Sequence, residues 1–285
     1  MNRLSDIGTI KDILSRHGFT FSKSLGQNFL INPSVCPRMA ELSGAGEGVG
    51  VIEVGPGIGV LTNELCRLAD KVVAVELDKR LLPVLEETLA EHDNVKVVNA
   101  DILELDLHRL IADEFEGMRV TVCANLPYYI TSPVIMKLLE ERLPIEAVTV
   151  MVQKEAAQRI CAPVGSRMSG AVTVSVNYYA EPELLFHVSA GSFMPAPKVD
   201  SAVIRLNVRR EPPVKADKKA FFAVVKAAFG QRRKVISNSL SAGLGVGKEE
   251  IRALLDRAGV PQNARAEALS MEDFAAIANA WEERA

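Results

Sequence analysis

The chain has 285 residues, 48% apolar and 24% charged, with no apolar run of membrane-spanning length. Met1 to Thr20 carries Arg3, Asp6, Lys11, Asp12 and Arg16 and lacks an apolar centre, which excludes a secretory signal and points to the cytoplasm. Cys36, Cys66, Cys123 and Cys161 are far apart, as are the four histidines, so buried free thiols are expected and neither metal nor nucleophile chemistry is. The net charge of −3 conceals an asymmetry: Arg205 to Lys234 holds ten basic residues against Glu211 and Asp217, a segment of +8 in a chain otherwise at −11. Such a segment suits a locally docked polyanion, although a solvated helical face is the commoner meaning of a charge run.

In chain order, Asp6 to His17 predicts a short helix ending at Gly18. The segment Lys23 to Leu30 breaks that pattern and reads as a loop tucked under the core by Phe29 and Leu30. Asn32 is then the expected N-cap of a helix reaching about Leu42. Val51 to Thr62 runs from an apolar strand through Gly55, Gly57 and Gly59 into a helical pattern. Free backbone N–H groups at such a helix start donate to a ligand's polar end, which can approach because no Cβ blocks it. The spacing is not the dinucleotide fingerprint, whose third glycine would fall at Val60. A tight turn in which glycine serves only packing is the alternative.

Lys71 to Leu77 reads as the next strand, buried on both faces, with Glu76 near its end. An acid at the tip of the second strand is where α/β nucleotide binders hold a ribose diol. Glu76 and Asp78 also precede the helix expected over Lys79 to Glu91 and would favour its dipole; that bland reading suits Asp78, and the ribose suits Glu76. The third strand, Val95 to Val98, leads to Asp101, and the fourth, Val120 to Ala124, runs into Asn125-Leu126-Pro127-Tyr128. Strand ends of an open parallel sheet line one crevice, so Gly55, Glu76 and Asp101 converge on one ligand. An acid cannot favour phosphate but accepts from an exocyclic amine, which implies an adenosine with a non-phosphate tail. Asn125 and the Leu126 carbonyl offer two close acceptors, and Tyr128 a π face for a base. A plain helix cap at Asp101 and a plain turn at Asn125 are the alternatives.

A fifth strand is expected over Pro144 to Val152, a helix over Lys154 to Ile160, and two further strands over Ala171 to Tyr179 and Ser201 to Val208. This predicts an α/β fold, a parallel sheet finished by an antiparallel hairpin. After the Glu211-Pro212-Pro213 linker the pattern is helical over Asp217 to Phe229, Arg232 to Ser241, Lys248 to Ala258 and Ser270 to Glu283, the last opened by a Ser270–Asp273 capping box.

Taken together, Gly26-Gln27-Asn28-Phe29-Leu30, Glu53 to Thr62, Asn125-Leu126-Pro127-Tyr128, Phe193 to Ser201 and Phe229 to Lys234 resemble the S-adenosylmethionine-dependent rRNA adenine dimethyltransferases, in their bacterial small-subunit, kasugamycin-sensitivity branch. The resemblance covers nearly the whole chain. It implies a Rossmann-like class I methyltransferase sheet over 1–210 and a small all-helical rRNA-binding domain over 211–285. It further implies that Asn28 and Leu30 close over S-adenosyl-L-methionine, in place of the purely structural role that the bare loop suggests. Gly55 would lie along the methionine part, Glu76 would take the ribose and Asp101 the adenine amine. Asn125 would border both cofactor and target, with Leu126, Pro127 and Tyr128 completing the catalytic turn. The implied substrate is a pair of adjacent adenosines in a hairpin loop near the 3′ end of 16S rRNA, in the small ribosomal subunit, acted on by a monomer. A large-subunit rRNA adenine dimethylase and an assembly-checkpoint docking factor are the competing expectations.

Overall fold

A computed structural model of the protein describes residues 3–19, 28–231 and 233–284. Gly26 and Gln27 of the early motif, and Arg232 of the basic run, lie outside the described residues. The chain begins with α1 (Ile7–Arg16), β1 (Phe29–Leu30), α2 (Val35–Leu42), β2 (Val49–Val54), α3 (Val60–Cys66) and β3 (Lys71–Glu76). It continues through α4 (Leu82–Thr88), β4 (Val95–Asn99), α5 (Leu107–Glu114), β5 (Arg119–Asn125), α6 (Thr131–Glu140), β6 (Ala147–Gln153) and α7 (Lys154–Ile160). Then follow α8 (Ala171–Tyr179), β7 (Ala180–Val188), β8 (Phe193–Met194) and β9 (Ser201–Val208). Four helices close the chain: α9 (Lys218–Phe229), α10 (Ile236–Leu244), α11 (Lys248–Arg257) and α12 (Met271–Glu282). Among the described residues no helix is long and apolar enough to cross a membrane. Two compact units result, Met1–Ala157 with Glu183–Val208, and Gln158–Pro182 with Arg209–Ala285.

The first unit carries the α/β architecture that the sequence predicts. Seven strands lie in the order β4-β3-β2-β5-β6-β9-β7. The pairs β4–β3, β3–β2, β2–β5 and β5–β6 are parallel, and β9 runs antiparallel to β6. Every residue of β2 is buried, as a central strand covered on both faces requires. Covering it closely also constrains the strand itself: a Cβ on Gly50 would lie 2.1 Å from the Phe115 ring. From β2 the chain builds outward through β3 to β4, then returns to the other side of β2 with β5 and β6. That reversal creates a crevice beyond the carboxyl ends of β2 and β5. A separate ribbon pairs β1 with β8, Phe29 opposite Met194 and Leu30 opposite Phe193. The thiols of Cys36, Cys66 and Cys123 are buried and free, and that of Cys161 is half-buried.

Several elements depart from the sequence reading. Ala171 to Tyr179 is helical, not a strand. Its alternating valines suggest period two, but Thr173 Oγ1 accepts from the Gly170 N–H at 3.0 Å and donates to the Arg159 carbonyl at 2.7 Å, which fixes a helix start. Tyr178 then packs against the Phe221 and Phe222 rings of α9, with centroids 4.9 and 5.0 Å away. Packing overrides β propensity there, and it gathers 158–182 into the second unit, although the sequence reading places that segment in the first domain. The strand lies one step later, at β7, where Pro182 is tolerated because β7 is the sheet's edge. No hairpin of the two expected strands forms; β9 instead sits between β6 and β7.

The second helix starts at Val35 rather than beside Asn32, because the Asn32 side chain folds back onto the Ser34 N–H at 3.1 Å in a local turn. The segment after Asp78 is a 3-10 turn (Lys79–Leu81) followed by α4, and Asp78 Oδ1 caps that turn through the Arg80 N–H. In the second unit α10 begins at Ile236, four residues later than its basic run suggests. The Ser270–Asp273 capping box is present in both directions. Gly243 permits close crossing of α10 over α9, since a Cβ there would lie 2.5 Å from that of Ala227.

Candidate active site at the carboxyl ends of the sheet

The glycine turn after β2 holds all three glycines at positive φ, 69° at Gly55, 60° at Gly57 and 85° at Gly59. Side chains rarely adopt that backbone, so the turn is built for glycine. It opens into a cleft enclosing about 1120 Å³ of empty space, mouth included. All nine residues singled out in the sequence line it: Asn28 and Leu30 from the ribbon, Gly55, Glu76, Asp101, and the run Asn125 to Tyr128. Sequence separations of up to a hundred residues close here because each stands at a strand's carboxyl end or on the ribbon.

Glu76 is 6% exposed and held from two sides. The Gly57 N–H donates to Oε2 at 3.3 Å and the Asp78 N–H to Oε1 at 2.8 Å. Burial raises its pKa above the ordinary carboxylate value, and these two N–H groups oppose the rise. Its carbonyl is tied to Asn99 Nδ2 at 2.7 Å, so backbone and side chain are both fixed. Asp101 Oδ1 accepts from the Leu103 N–H at 2.9 Å, which closes a turn and does not cap α5, whose N-cap is Asp106, and Asp101 lines the cleft. At the end of β5, Leu126 is buried and its N–H donates to the Met151 carbonyl at 3.3 Å. Tyr128 is half-buried, its hydroxyl 2.7 Å from that of Ser201.

The ribbon forms part of the cleft wall. Phe29 reaches across the glycine turn so closely that a Cβ on Gly57 would lie 3.2 Å from its ring. Leu30 and Phe193, opposite each other in the ribbon, are both buried and both line the cleft. Phe193 is thus both ribbon core and cleft lining.

Sequence reasoning does not single out Glu53. The available signal is an acid inside β2, a strand otherwise buried and uncharged on both faces. Glu53 is 1% exposed, lines the cleft, and its Oε2 has no hydrogen-bond partner among the described residues. Burial pushes its carboxyl up to about 8; the Thr62 hydroxyl offsets this in part and the Glu76 charge adds to it. With a folded-state pKa above the ordinary value, its contribution to stability is complete in acid and is lost as pH rises through about 8. The melting temperature of the ligand-free protein should therefore fall between about pH 4.5 and about pH 8 and level off above, and Glu53→Gln should flatten that fall. A calorimetric pH series on both proteins reads this directly; parallel curves would place the ionisation elsewhere.

Among the described lining residues are three carboxyl groups, Glu53, Glu76 and Asp101, and no lysine, arginine or histidine. This donor set repels phosphate and suits a cationic, amine-bearing ligand.

Comparison with known proteins identifies the family. The family model of ribosomal RNA adenine dimethylases matches residues 18–283. The chain is 50% identical over 278 residues to the ribosomal RNA small subunit methyltransferase A of Geobacillus thermodenitrificans (strain NG80-2), covering 96% of this chain and 95% of that protein. It is similar to the crystal structure of the 23S rRNA methyltransferase ErmE, with a TM-score of 0.68 and 30% identity, over 89% of this chain and 99% of that one. A dimethyladenosine transferase from Plasmodium falciparum shares the fold at a TM-score of 0.73 and 23% identity, over 87% and 95% of the two chains. With the family model spanning nearly all of the sequence, this chain belongs to the ribosomal RNA adenine dimethylase family.

Proposed function

We propose that the protein dimethylates N6 of two adjacent adenosines in the hairpin loop near the 3′ end of 16S rRNA, using S-adenosyl-L-methionine, during biogenesis of the small ribosomal subunit. On this reading it acts in the cytoplasm as a monomer. The observation that carries it is a switch-point cleft whose described lining residues include three acids and no basic residue, with the Asn125-Leu126-Pro127-Tyr128 turn at its edge. S-adenosyl-L-methionine supplies an electrophilic sulfonium methyl when bound.

The residues divide the work. Glu76 takes the ribose diol and Asp101 the adenine amine, while Gly55 admits the methionine part and Asn28 and Leu30 cover it. Glu53, buried with Oε2 lacking a hydrogen-bond partner among the described residues, is a carboxyl that the ligand's positive charge would draw into its ionised form. The Asn125 side-chain carbonyl and the Leu126 carbonyl accept the two hydrogens of the target N6. Gripping both hydrogens pyramidalises an amine whose lone pair is otherwise delocalised into the ring, and aims that pair along the displacement line. Pro127 fixes the backbone φ after Leu126, here −56°, and Tyr128 stacks on the ring. No side chain need act as base, because the surplus proton leaves to water after transfer. A target base must leave its stack to enter such a cleft, which a loop permits more readily than a duplex.

The deciding experiment is transfer of labelled methyl from S-adenosyl-L-methionine to unmethylated small subunits, with protein-poor large-subunit rRNA in parallel and mass mapping of the product. Dimethyladenosine at two neighbouring small-subunit sites is the expected outcome; label only in the large-subunit RNA would overturn it.

The second unit serves as the RNA-docking part of this proposal. Arg233 and Lys234 are exposed at its surface just before α10. Reversing both charges should weaken binding to small subunits and reduce the slope of log affinity against log salt by about 1 per lost phosphate contact. An unchanged slope would make the basic run a solvated face only.

A further inference from the structure

Strand β9 runs antiparallel to its neighbour β6, so its first residue stands where β5 and β6 finish. That first residue is Ser201, fully buried and opposite Gln153, the last residue of β6. Its hydroxyl lies 2.7 Å from the hydroxyl of Tyr128, 73 residues away in the chain. A tyrosine ring on a short 3-10 turn (Tyr128–Ile130) is otherwise free to swing about its side-chain torsions, and a buried hydroxyl partner at its far end removes that freedom.

The preceding residue makes a different hydrogen bond. Asp200 is exposed, and its Oδ1 accepts from the Ala190 N–H at 2.9 Å. Ala190 begins the one-turn 3-10 helix Ala190–Ser192 that leads directly into β8. The Ser192 carbonyl accepts from the Ile31 N–H at 2.9 Å, and Asn32 Nδ2 donates to Ser192 Oγ at 3.2 Å. Through these bonds the β1–β8 ribbon, which carries Leu30 and lays Phe29 over Gly57, is held at both of its strands. The dipeptide is itself anchored, since the Asp200 carbonyl accepts from the Lys154 N–H at 2.9 Å.

We infer that Asp200 and Ser201 are positioning residues that divide the cleft between them: Ser201 fixes the Tyr128 ring on the target side, and Asp200 fixes the ribbon over the cofactor side. One backbone segment thereby sets the distance between the two reactants. Neither residue touches substrate or cofactor; each acts through the group that it holds. The inference rests on the assignment of the Tyr128 turn to the target base and of the ribbon to the cofactor.

The roles separate in a kinetic test on the full chain, with small subunits as substrate and S-adenosyl-L-methionine affinity measured by calorimetry. Ser201→Ala and Tyr128→Phe should each lower kcat about three- to tenfold, the scale of one neutral hydrogen bond, with the cofactor Kd unchanged. The double variant should be no worse than either single one, because both remove the same bond. Asp200→Ala should raise the cofactor Kd about three- to tenfold and leave kcat at saturating cofactor unchanged. Effects of Ser201→Ala and Tyr128→Phe that multiply, a cofactor Kd moved by Ser201→Ala, or a kcat moved by Asp200→Ala would overturn the division. If Ser201→Ala lowers the melting temperature enough to blur its kinetics, Tyr128→Phe removes the same bond from the exposed side and decides alone: an unchanged kcat there overturns the role of Ser201. Tyr128→Ala separates this proposal from the site reading beneath it. Full activity in Tyr128→Ala would remove the target turn itself, whereas lost activity there with a silent Ser201→Ala would remove only the positioning role.

Discussion

Asn125→Ala should lower methyl transfer to small subunits about 10²- to 10³-fold, the cost of deleting one preorganised polar group that acts on charge in the transition state. The residue closes β5 beside the switch point, in register with Met151 of β6, so its backbone is fixed on the sheet rather than on a loop. On the proposed assignment, truncation removes one of the two N6 acceptors and leaves the other, the Leu126 carbonyl, in place. The loss should therefore fall mainly on kcat, with folding intact by melting temperature. Asn125→Asp is the sharper comparison: the acceptor is retained but a fourth carboxylate joins Glu53, Glu76 and Asp101. A variant that retained wild-type kcat after Asn125→Ala would remove the geometric account of N6 activation.

Glu76→Ala should weaken S-adenosyl-L-methionine binding by about 10²-fold or more, since a carboxylate accepting two ribose hydroxyls contributes more per bond than a neutral acceptor. The fixed orientation of Glu76 underlies the size of this effect: the Gly57 and Asp78 N–H groups hold the carboxylate ready before any ligand arrives. Calorimetric titration measures it without recourse to turnover. The same variant carries a second, independent signature. The negative charge of Glu76 helps to raise the Glu53 carboxyl, so removing it should move the upper end of the melting-temperature fall, near pH 8, to lower pH. An affinity within twofold of wild type would free the ribose assignment, and an unmoved pH profile would uncouple the two acids.

How much of this was legible in the sequence depends on whether a signal is local. Strands β2 to β6 announce themselves as β-branched runs ended by polar residues, and the rule that ligands gather at carboxyl ends of parallel strands converts those ends into a site. Gly55, Glu76, Asp101 and Asn125 to Tyr128 follow from that rule alone, and all of them line one cleft. Asn28 and Leu30 do not: as bare residues they read as a buried loop, and they reach the cleft through pairing of β1 with β8, more than 160 residues distant. The resemblance in motif, not the periodicity, brings them in.

Other features belong to tertiary structure because their cause is non-local. Residues 171–179 have the composition of a strand and become α8, since aromatic packing of Tyr178 on α9 and the Thr173 cap outweigh an intrinsic preference of about 1 kcal/mol. Glu53 is one acid in an apolar run until the covering of both faces of β2 deprives it of water and raises its pKa. Ser201 is an unremarked hydroxyl until the reversal of β9 carries it to the end of the sheet where Tyr128 lies. The sequence by itself determined the strand ends, the acid-rich chemistry and the order in which they come. Which faces are dry, which buried groups meet, and what holds the two sides of the cleft at their distance were decided only by the packed fold, because desolvation and long-range hydrogen bonding have no local spacing to read.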